Sequence, residues 1–206
     1  MSRESPLILA SASPRRRELL AALVAEFAVV ASGVDEAFAG DPIDDARRLA
    51  LAKARDVAAR KPGAVVIGSD TIVYAGGKAY AKPLDEADAL AIWRALRGRP
   101  HSVVTAFAVV APSGEQVGHV VSAVTLASLD DDAVRAYVAS GRPMDKAGAY
   151  AIQDDDVPTV ERLDGCYCSV MGLPLHALRH ALQAAGVACP DPSLSREVCR
   201  RCPDRG

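Results

Sequence analysis

The sequence predicts an α/β protein, and three observations carry this prediction. Short apolar runs alternate along the chain with segments whose apolar residues recur at helical spacing, an order typical of a sheet flanked by helices. Residues 64–68 form a nearly continuous apolar run, as expected for a strand covered on both faces. With 206 residues, 50% of them hydrophobic and 24% charged, the chain can bury a sizeable core and is neither disordered nor fibrous.

The first elements follow from caps and charge order. Residues 7–10 predict a short strand. The pair Ser13-Pro14 supplies an N-cap and a suitable first helical residue, so a helix is expected over residues 14–24. A second strand is expected over residues 27–31. The clearest helix is expected over residues 44–60, where acidic residues come first and basic residues last.

Two hairpins and further helices complete the predicted order. The strand begun at residue 64 is expected to continue over residues 71–74, turn at Gly76-Gly77 and return over residues 78–81. A second hairpin is expected around Pro112-Ser113-Gly114. Its strands are predicted at residues 102–110 and 117–126, and the remaining helices at residues 85–96, 130–139 and 175–185.

The end of the sequence is expected to be a mobile tail over residues 189–206, because it lacks a periodic apolar face. The folded domain is therefore expected to span residues 1–188. The cysteines number 5, an odd count that does not suit the disulfide framework of a small secreted protein. Cys199 and Cys202 form a CxxC pair with Cys189 upstream, which we interpret as adventitious thiols rather than a zinc site.

Composition also limits the location and the partners. The N-terminal apolar run is far shorter than the roughly 20 residues needed to cross a membrane, so we expect a cytoplasmic protein without a membrane partner. A formal net charge of -2 argues against a nucleic-acid partner, which usually requires a basic excess. An anionic ligand would therefore need a local basic cluster.

Such a cluster lies in the opening turn of the first predicted helix, at Arg15, Arg16 and Arg17. Cations there oppose the helix dipole, whereas a phosphate would be bound by the dipole, the unpaired amides and the arginines together. Ser11 and Ser13 add donors beside it. A solvated basic turn explains the spacing equally well at this stage.

Two acidic residues follow predicted strands. Asp70 comes at the end of the apolar run, where α/β proteins open into a ligand crevice, so it could hold a metal or activate water; it could equally cap a turn through Thr71. Glu36 is a similar candidate, with a solvated loop as the alternative. Lys53 and Lys82 could each bind phosphate as a point charge, or simply be exposed lysines.

Four motifs together carry a resemblance to a known family. SASPRRRELL at residues 11–20, SDTIV at 69–73, AKP at 81–83 and DKAGAYAIQ at 145–153 resemble the Maf family of nucleoside triphosphate pyrophosphatases. The resemblance spans about residues 6–186. It implies an elongated, ITPase-like mixed sheet flanked by helices in a single compact unit of two lobes, and a homodimer. It also implies hydrolysis between the α and β phosphates with a divalent cation, Mg²⁺ or Mn²⁺.

The resemblance also implies roles for individual residues. Asp70 would accept the proton of the attacking water and, with Glu36, bind the metal. Ser11, Arg16, Lys53 and Lys82 would line the phosphate region.

The resemblance also implies a choice of substrate, through three further positions. Arg15, Thr71 and Gln153 match the branch that prefers dTTP and UTP, whereas Trp, Gln and Glu are usual in the branch acting on methylated GTP. The implied activity is house-cleaning of the nucleotide pool. The alternatives are a pyrophosphatase for methylated GTP and a nucleotide-binding regulator of septum formation and cell division without significant turnover.

Overall fold

The computed structural model describes residues 5–205, and within this range the strands form one seven-stranded mixed sheet. The sheet order is β2-β1-β3-β5-β6-β7, with β4 paired to β3. β1 is parallel to β2 and β3, and the other pairings are antiparallel. The strands are β1 (Leu7–Leu9), β2 (Ala28–Val29), β3 (Val65–Ala75), β4 (Lys78–Tyr80), β5 (Pro100–Ala111), β6 (Gly114–Leu126) and β7 (Val160–Asp164).

Helices flank this sheet, which confirms the predicted fold class. The helices are α1 (Pro14–Leu20), α2 (Pro42–Arg60), α3 (Glu86–Leu96), α4 (Asp131–Ala139), α5 (Tyr167–Met171), α6 (Leu175–Ala184) and α7 (Glu197–Arg200). Short 3₁₀ turns occur at Arg142–Asp145, Ala147–Ala149, Pro192–Leu194 and Pro203–Arg205. Among the described residues, no helix is both long and apolar enough to span a membrane.

One face of the sheet is covered by α2. Ala50 and Ala54 of this helix pack against Val66 of β3 in one apolar cluster. A Cβ added at Gly68 would lie 2.1 Å from the Ala50 carbonyl oxygen, so the missing side chain is what lets the helix backbone lie directly on β3. The side chains at this point of α2 are thereby brought close to the middle of β3.

The opposite face carries two separate apolar clusters. Val65 and Ile67 of β3 belong to the cluster that includes α1 and α6, whereas Val73 belongs to the cluster that includes α3 and α4. Because side chains alternate along a strand, Ser69 and Thr71 lie on the same face between these clusters. A polar band thus divides the two apolar clusters, in agreement with one unit of two lobes.

The middle of β3 has one open edge. β5 pairs along one side of β3. On the other side, β1 pairs with Val65–Ile67 and β4 pairs with Val73–Ala75. Between these two pairings, no described strand covers β3. β3 is therefore one continuous strand, as the continuation of the apolar run over residues 71–74 predicted, and its middle crosses an open stretch.

The expected mobile tail does not match the structure. Residues 189–205 pack onto the body through short helical turns, and Cys199 and Cys202 are buried in the same apolar cluster as α1 and α6. The segment buries isolated side chains from turns of three or four residues, which are too short to produce a periodic apolar face. The boundary expected at residue 188 thus does not separate a packed body from an unpacked end.

Candidate active site

A cavity of about 380 Å³ opens at the uncovered edge of β3. Asp70 and Thr71 point to opposite faces of the strand, yet both reach this cavity because no neighbouring strand covers the edge. All of the side chains predicted as site residues line it: Ser11, Arg15, Arg16, Glu36, Lys53, Asp70, Thr71, Lys82 and Gln153.

A lysine and two carboxylates form the centre of the site. The Lys53 ammonium donates hydrogen bonds of 2.6 Å to Asp70 Oδ1 and 2.6 Å to Glu36 Oε1. Lys53 and Asp70 are buried, at 4% and 5% exposure, so this ion pair is shielded from water. Lys82 is more exposed, with its Nζ 4.0 Å from Glu36 Oε2.

The balance of burial and charge keeps Glu36 ionised. Partial burial alone would raise the pKa of Glu36, but the hydrogen bond and charge of Lys53, with the charges of Lys82 and Arg16, hold that pKa below its ordinary value. Glu36 therefore presents a carboxylate at neutral pH.

The loop that carries Glu36, residues 31–41, is fixed at both ends by side chains of α2. Asp45 accepts hydrogen bonds of 2.7 and 2.9 Å from two loop amides, and Arg48 donates one of 2.8 Å to a loop carbonyl. Near the other end, Asp56 accepts a hydrogen bond of 3.1 Å from a loop amide, and Arg60 donates one of 3.1 Å to a loop carbonyl. One helix therefore positions both Lys53 and the Glu36 loop.

Arg16 extends along the polar band between the two apolar clusters. Its Nε donates to the Gly172 carbonyl at 2.9 Å, and its terminal nitrogens donate to Ser11 Oγ at 3.4 Å and Thr71 Oγ1 at 3.2 Å. Burial lowers the pKa of Arg16, and the charges of Asp70 and Glu36 oppose this effect. Because a guanidinium titrates far above neutrality, Arg16 remains a half-buried cation facing the cavity.

Gly172 is a site residue that sequence reasoning missed. It ends α5 with φ +119°, and a Cβ there would lie 3.3 Å from Arg16 Nε. Its carbonyl also lies 2.9 Å from Ser69 Oγ, which fixes the end of α5 on the polar band. The left-handed backbone favours glycine, but only the folded chain shows which arginine this glycine holds.

Two further residues missed as candidates lie inside a motif that the sequence analysis quoted. Asp145 accepts a 2.7 Å hydrogen bond from Arg15 and a 2.6 Å hydrogen bond from Lys146, and all three side chains line the cavity. The pKa of Asp145 is lowered by these bonds and charges, against the opposing and largest effect of burial. DKAGAYAIQ contains both residues, so their position in that motif was the available signal.

The segment before Gln153 is held from three sides. Trp93 Nε1 donates to the Ala149 carbonyl at 2.7 Å, and Thr159 Oγ1 donates to the Ala151 carbonyl at 2.6 Å. His101 Nε2 lies 2.8 Å from the Tyr150 hydroxyl. Burial lowers the pKa of His101 to about 4 and raises the pKa of Tyr150, so both side chains are neutral at pH 7. Gln153 thus lines the cavity from a well-supported segment.

The donor set suits a hard divalent cation shared with a phosphate ligand. Glu36 and Asp70 supply carboxylate oxygens on either side of one ammonium group. Within residues 5–205, no cluster of three or more His, Cys, Asp or Glu side chains could hold a metal ion alone. Mg²⁺ commonly takes one or two carboxylates and completes its shell with water and substrate phosphates, so two carboxylates fit that mode of binding.

Comparisons with known proteins agree on one family. The family model described as Maf-like protein matches residues 6–185. Proteins named dTTP/UTP pyrophosphatase are similar to this chain throughout. The one from Thermomicrobium roseum is 44% identical, over 96% of this chain and 93% of its own length. The one from Geotalea uraniireducens is 47% identical, over 90% of this chain and 98% of its own length. The one from Deinococcus radiodurans is 44% identical, over 88% and 94%. The chain therefore belongs to the Maf-like protein family.

Proposed function

We propose that this protein hydrolyses dTTP and UTP between the α and β phosphates, giving a nucleoside monophosphate and pyrophosphate. The observation that carries the proposal is the cavity at the open edge of β3, where two carboxylates lie among several cationic side chains. The names of the three relatives support the same substrates. The role is house-cleaning of the nucleotide pool, including modified pyrimidine nucleotides.

The cationic side chains of the cavity bind the triphosphate. Arg16 offers a planar set of donors, and Lys82 offers an ammonium group at the exposed side of the cavity. Ser11 adds a hydroxyl beside Arg16. Phosphoryl transfer depends mainly on positioning and on neutralising charge on the phosphate oxygens, and these groups supply both.

Asp70 acts as the general base. Water attacks the α phosphorus, the bond to the bridging oxygen breaks and pyrophosphate leaves, while the proton of the water passes to the Asp70 carboxylate. Lys53 orients that carboxylate through its 2.6 Å hydrogen bond. Because Lys53 also bonds Glu36, it keeps the two carboxylates at a fixed separation.

Glu36 and Asp70 hold the divalent cation, Mg²⁺ or Mn²⁺, in this proposal. When bound there with the substrate phosphates, the cation neutralises charge on the phosphate oxygens. The ammonium group of Lys53 bonds both carboxylates and thereby limits the repulsion between them.

Gln153, Arg15 and Thr71 determine the choice of base. A glutamine amide offers one donor and one acceptor, which match the N–H and carbonyl on a uracil or thymine edge. A site built on such hydrogen bonds leaves its own polar groups unpaired when the wrong base enters, and so discriminates strongly. The Arg15 guanidinium is already oriented by Asp145.

We also propose a location, an oligomeric state and the partners of the protein. We place the protein in the cytoplasm as a homodimer, with a nucleoside triphosphate as its ligand and without a nucleic-acid or membrane partner. The family resemblance supports the dimer. The net charge of -2 supports the absence of a nucleic-acid partner.

A panel of triphosphates tests this proposal. The purified protein is given dTTP, UTP, CTP, GTP and methylated GTP with Mg²⁺ or Mn²⁺, and pyrophosphate and monophosphate are quantified together. We expect dTTP and UTP to give the highest kcat/KM, by at least about tenfold. A preference for methylated GTP, or nucleotide binding without pyrophosphate release, would instead support the alternatives of a different pyrophosphatase or of a division regulator.

A further inference from the structure

Five buried cysteines lie together on the side of the sheet that faces α1 and α6: Cys166, Cys168, Cys189, Cys199 and Cys202. Two of them are in direct contact. The Sγ atoms of Cys168, in α5, and Cys199, in α7, are 3.4 Å apart. The two cysteines are 31 positions apart in the sequence, and their spacing does not predict this contact.

The surroundings of this pair favour thiol chemistry over metal binding. Within the described residues, no group of three or more potential ligands could hold a metal. The nearby imidazole of His176 is directed to the backbone, because its Nε2 lies 3.0 Å from the Cys199 carbonyl oxygen. Zinc bound by proteins normally requires four ligands, or three with one open position, so the pair is better described as two facing thiols.

The two thiols differ in acidity. The pKa of Cys199 is lowered, first by the hydrogen bond that it shares with Cys168 and further by the charge of Arg196. The pKa of Cys168 is raised, by the same hydrogen bond and by burial. Cys199 is therefore the thiol of the pair that ionises first.

We propose that Cys168 and Cys199 form a redox-active pair that closes into an intramolecular disulfide joining α5 to the C-terminal segment. A low-molecular-weight disulfide of the glutathione class is the oxidant. The Cys199 thiolate attacks one sulfur of the oxidant, forming a mixed disulfide and releasing one thiol. Cys168 then loses its proton and attacks Cys199, releasing the second thiol, so two protein thiols are oxidised and one disulfide is reduced to two thiols.

Closing this disulfide needs only a small movement of the two sulfur atoms. A disulfide bond is about 2.0 Å long, so the two sulfurs need to approach by about 1.4 Å. Both thiols are 1% exposed, and the oxidant reaches them when the C-terminal segment opens locally. Within the described residues, its polar contacts with α1 and the turn after it are two, from Arg196 to Glu18 at 3.0 Å and from Ser195 to the Ala22 carbonyl at 3.3 Å.

Oxidation would join two elements of the fold covalently. The bond would tie α7 to α5, and α5 ends at Gly172, whose carbonyl accepts a hydrogen bond from Arg16. Oxidation would thus fasten the C-terminal segment to the same helix that supports the cavity. By constraining the unfolded chain, the bond should raise Tm by roughly 5–10 °C.

Peptide mapping of the full chain tests the proposal without any substitution. The protein is incubated with a series of reduced and oxidised glutathione ratios, its remaining thiols are alkylated, and it is digested with trypsin. Cys199 then falls in residues 197–200, Cys202 in 202–205 and Cys189 in 180–196. We expect residues 163–179 linked to 197–200, with fragmentation assigning the bond to Cys168 rather than Cys166.

Variants supply the matched control. Cys199→Ser should remove both the cross-link and the rise in Tm on oxidation, while Cys189→Ser should keep both. A link between Cys199 and Cys202, a mixture of unrelated links, or five alkylated cysteines at every glutathione ratio would overturn the proposal. The mapping uses the unaltered chain, so poor folding of a variant does not affect this outcome.

Discussion

At the level of single residues, Lys53 shows how the site gains its order. It is the only side chain seen to bond both Glu36 and Asp70 within the described part of the chain, and it does so from the buried side of α2. A buried lysine is stable only when it is paired, and the pairing in turn fixes the carboxylates. The proposed catalytic region is therefore ordered by a buried ion pair of α2 rather than by an exposed side chain.

The choice of base is the first property to test at this scale. Gln153→Glu should lower kcat/KM for dTTP and UTP by about 10- to 100-fold, because a carboxylate cannot donate to a ring carbonyl. Gln183→Glu, at an exposed position, is the matched control and should leave the rates unchanged. Steady-state kinetics on both pyrimidine substrates provide the measurement, and equal effects of the two substitutions would contradict the role of Gln153.

His101 makes stability depend on pH. Its pKa is about 4 in the folded chain because of burial, against an ordinary value of 6.5, so the unfolded state binds a proton first as the pH falls. The stabilisation is present above pH 6.5 and is lost towards pH 4. It should amount to about 2 kcal/mol lost by pH 5, or roughly 5 °C in Tm.

The measurement is thermal unfolding of the wild type and of His101→Gln at pH 7.5 and pH 5. Glutamine does not titrate, so the variant should lose less Tm between the two pH values than the wild type. Identical pH dependence in both proteins would show that His101 is not the group responsible.

At the level of elements, the site depends on how closely α2 approaches β3. The contact at Gly68 brings the helix backbone onto the strand and leaves Lys53 within reach of Asp70. The same helix holds the Glu36 loop through Asp45 and Asp56. A small shift of α2 would therefore change several distances in the proposed site together.

Gly68→Ala tests this dependence. The added methyl group would meet the Ala50 carbonyl oxygen at 2.1 Å, which forces the helix away from the sheet. We expect a destabilisation of about 2–4 kcal/mol and a loss of activity of at least about tenfold. Gly33→Ala, where no atom lies within 4 Å of the new Cβ, should do neither. Urea unfolding and steady-state kinetics measure the two effects, and a silent Gly68→Ala would refute the close approach.

Much of this element-level structure was predictable, and the exceptions have physical reasons. Caps and charge order predicted α2 to within two residues of its start, because Asp44 and Asp45 mark the first turn. β7 was missed because its sequence, VERLD, carries three charged residues and buries none, and α5 was missed because 5 residues are too few for a helical period. The burial of Lys53 could not be predicted, because it depends on a helix-to-strand contact made at Gly68.

At the level of the whole molecule, the C-terminal segment belongs to the packed body. Cys199 and Cys202 extend the apolar cluster that includes Leu19, Leu178 and Leu182. The expected tail was inferred from the absence of periodicity, and periodicity cannot reveal burial in turns of three or four residues. The open edge of β3 is likewise a property of the assembled sheet, although the motifs around it identified the residues that line it.

Removing residues 192–206 tests the packing of this segment. The deletion should lower Tm by roughly 5–10 °C, because it exposes apolar side chains of α1 and α6 to water. Differential scanning calorimetry of the full chain and the shortened chain provides the comparison. A Tm within about 2 °C of the full chain would restore the interpretation as an independent tail.

Asp70→Asn tests most directly whether Asp70, at the open edge of β3, is the base for hydrolysis between the α and β phosphates. Turnover of dTTP is measured by simultaneous release of dTMP and pyrophosphate, with circular dichroism to verify folding. The wild type should release the two products in equal amounts. The variant should fold but lose about 10²- to 10⁴-fold in kcat, because asparagine keeps the shape and removes the base. A folded variant with more than about a tenth of the wild-type rate, or dTDP and free phosphate as the first products, would show that Asp70 is not this base.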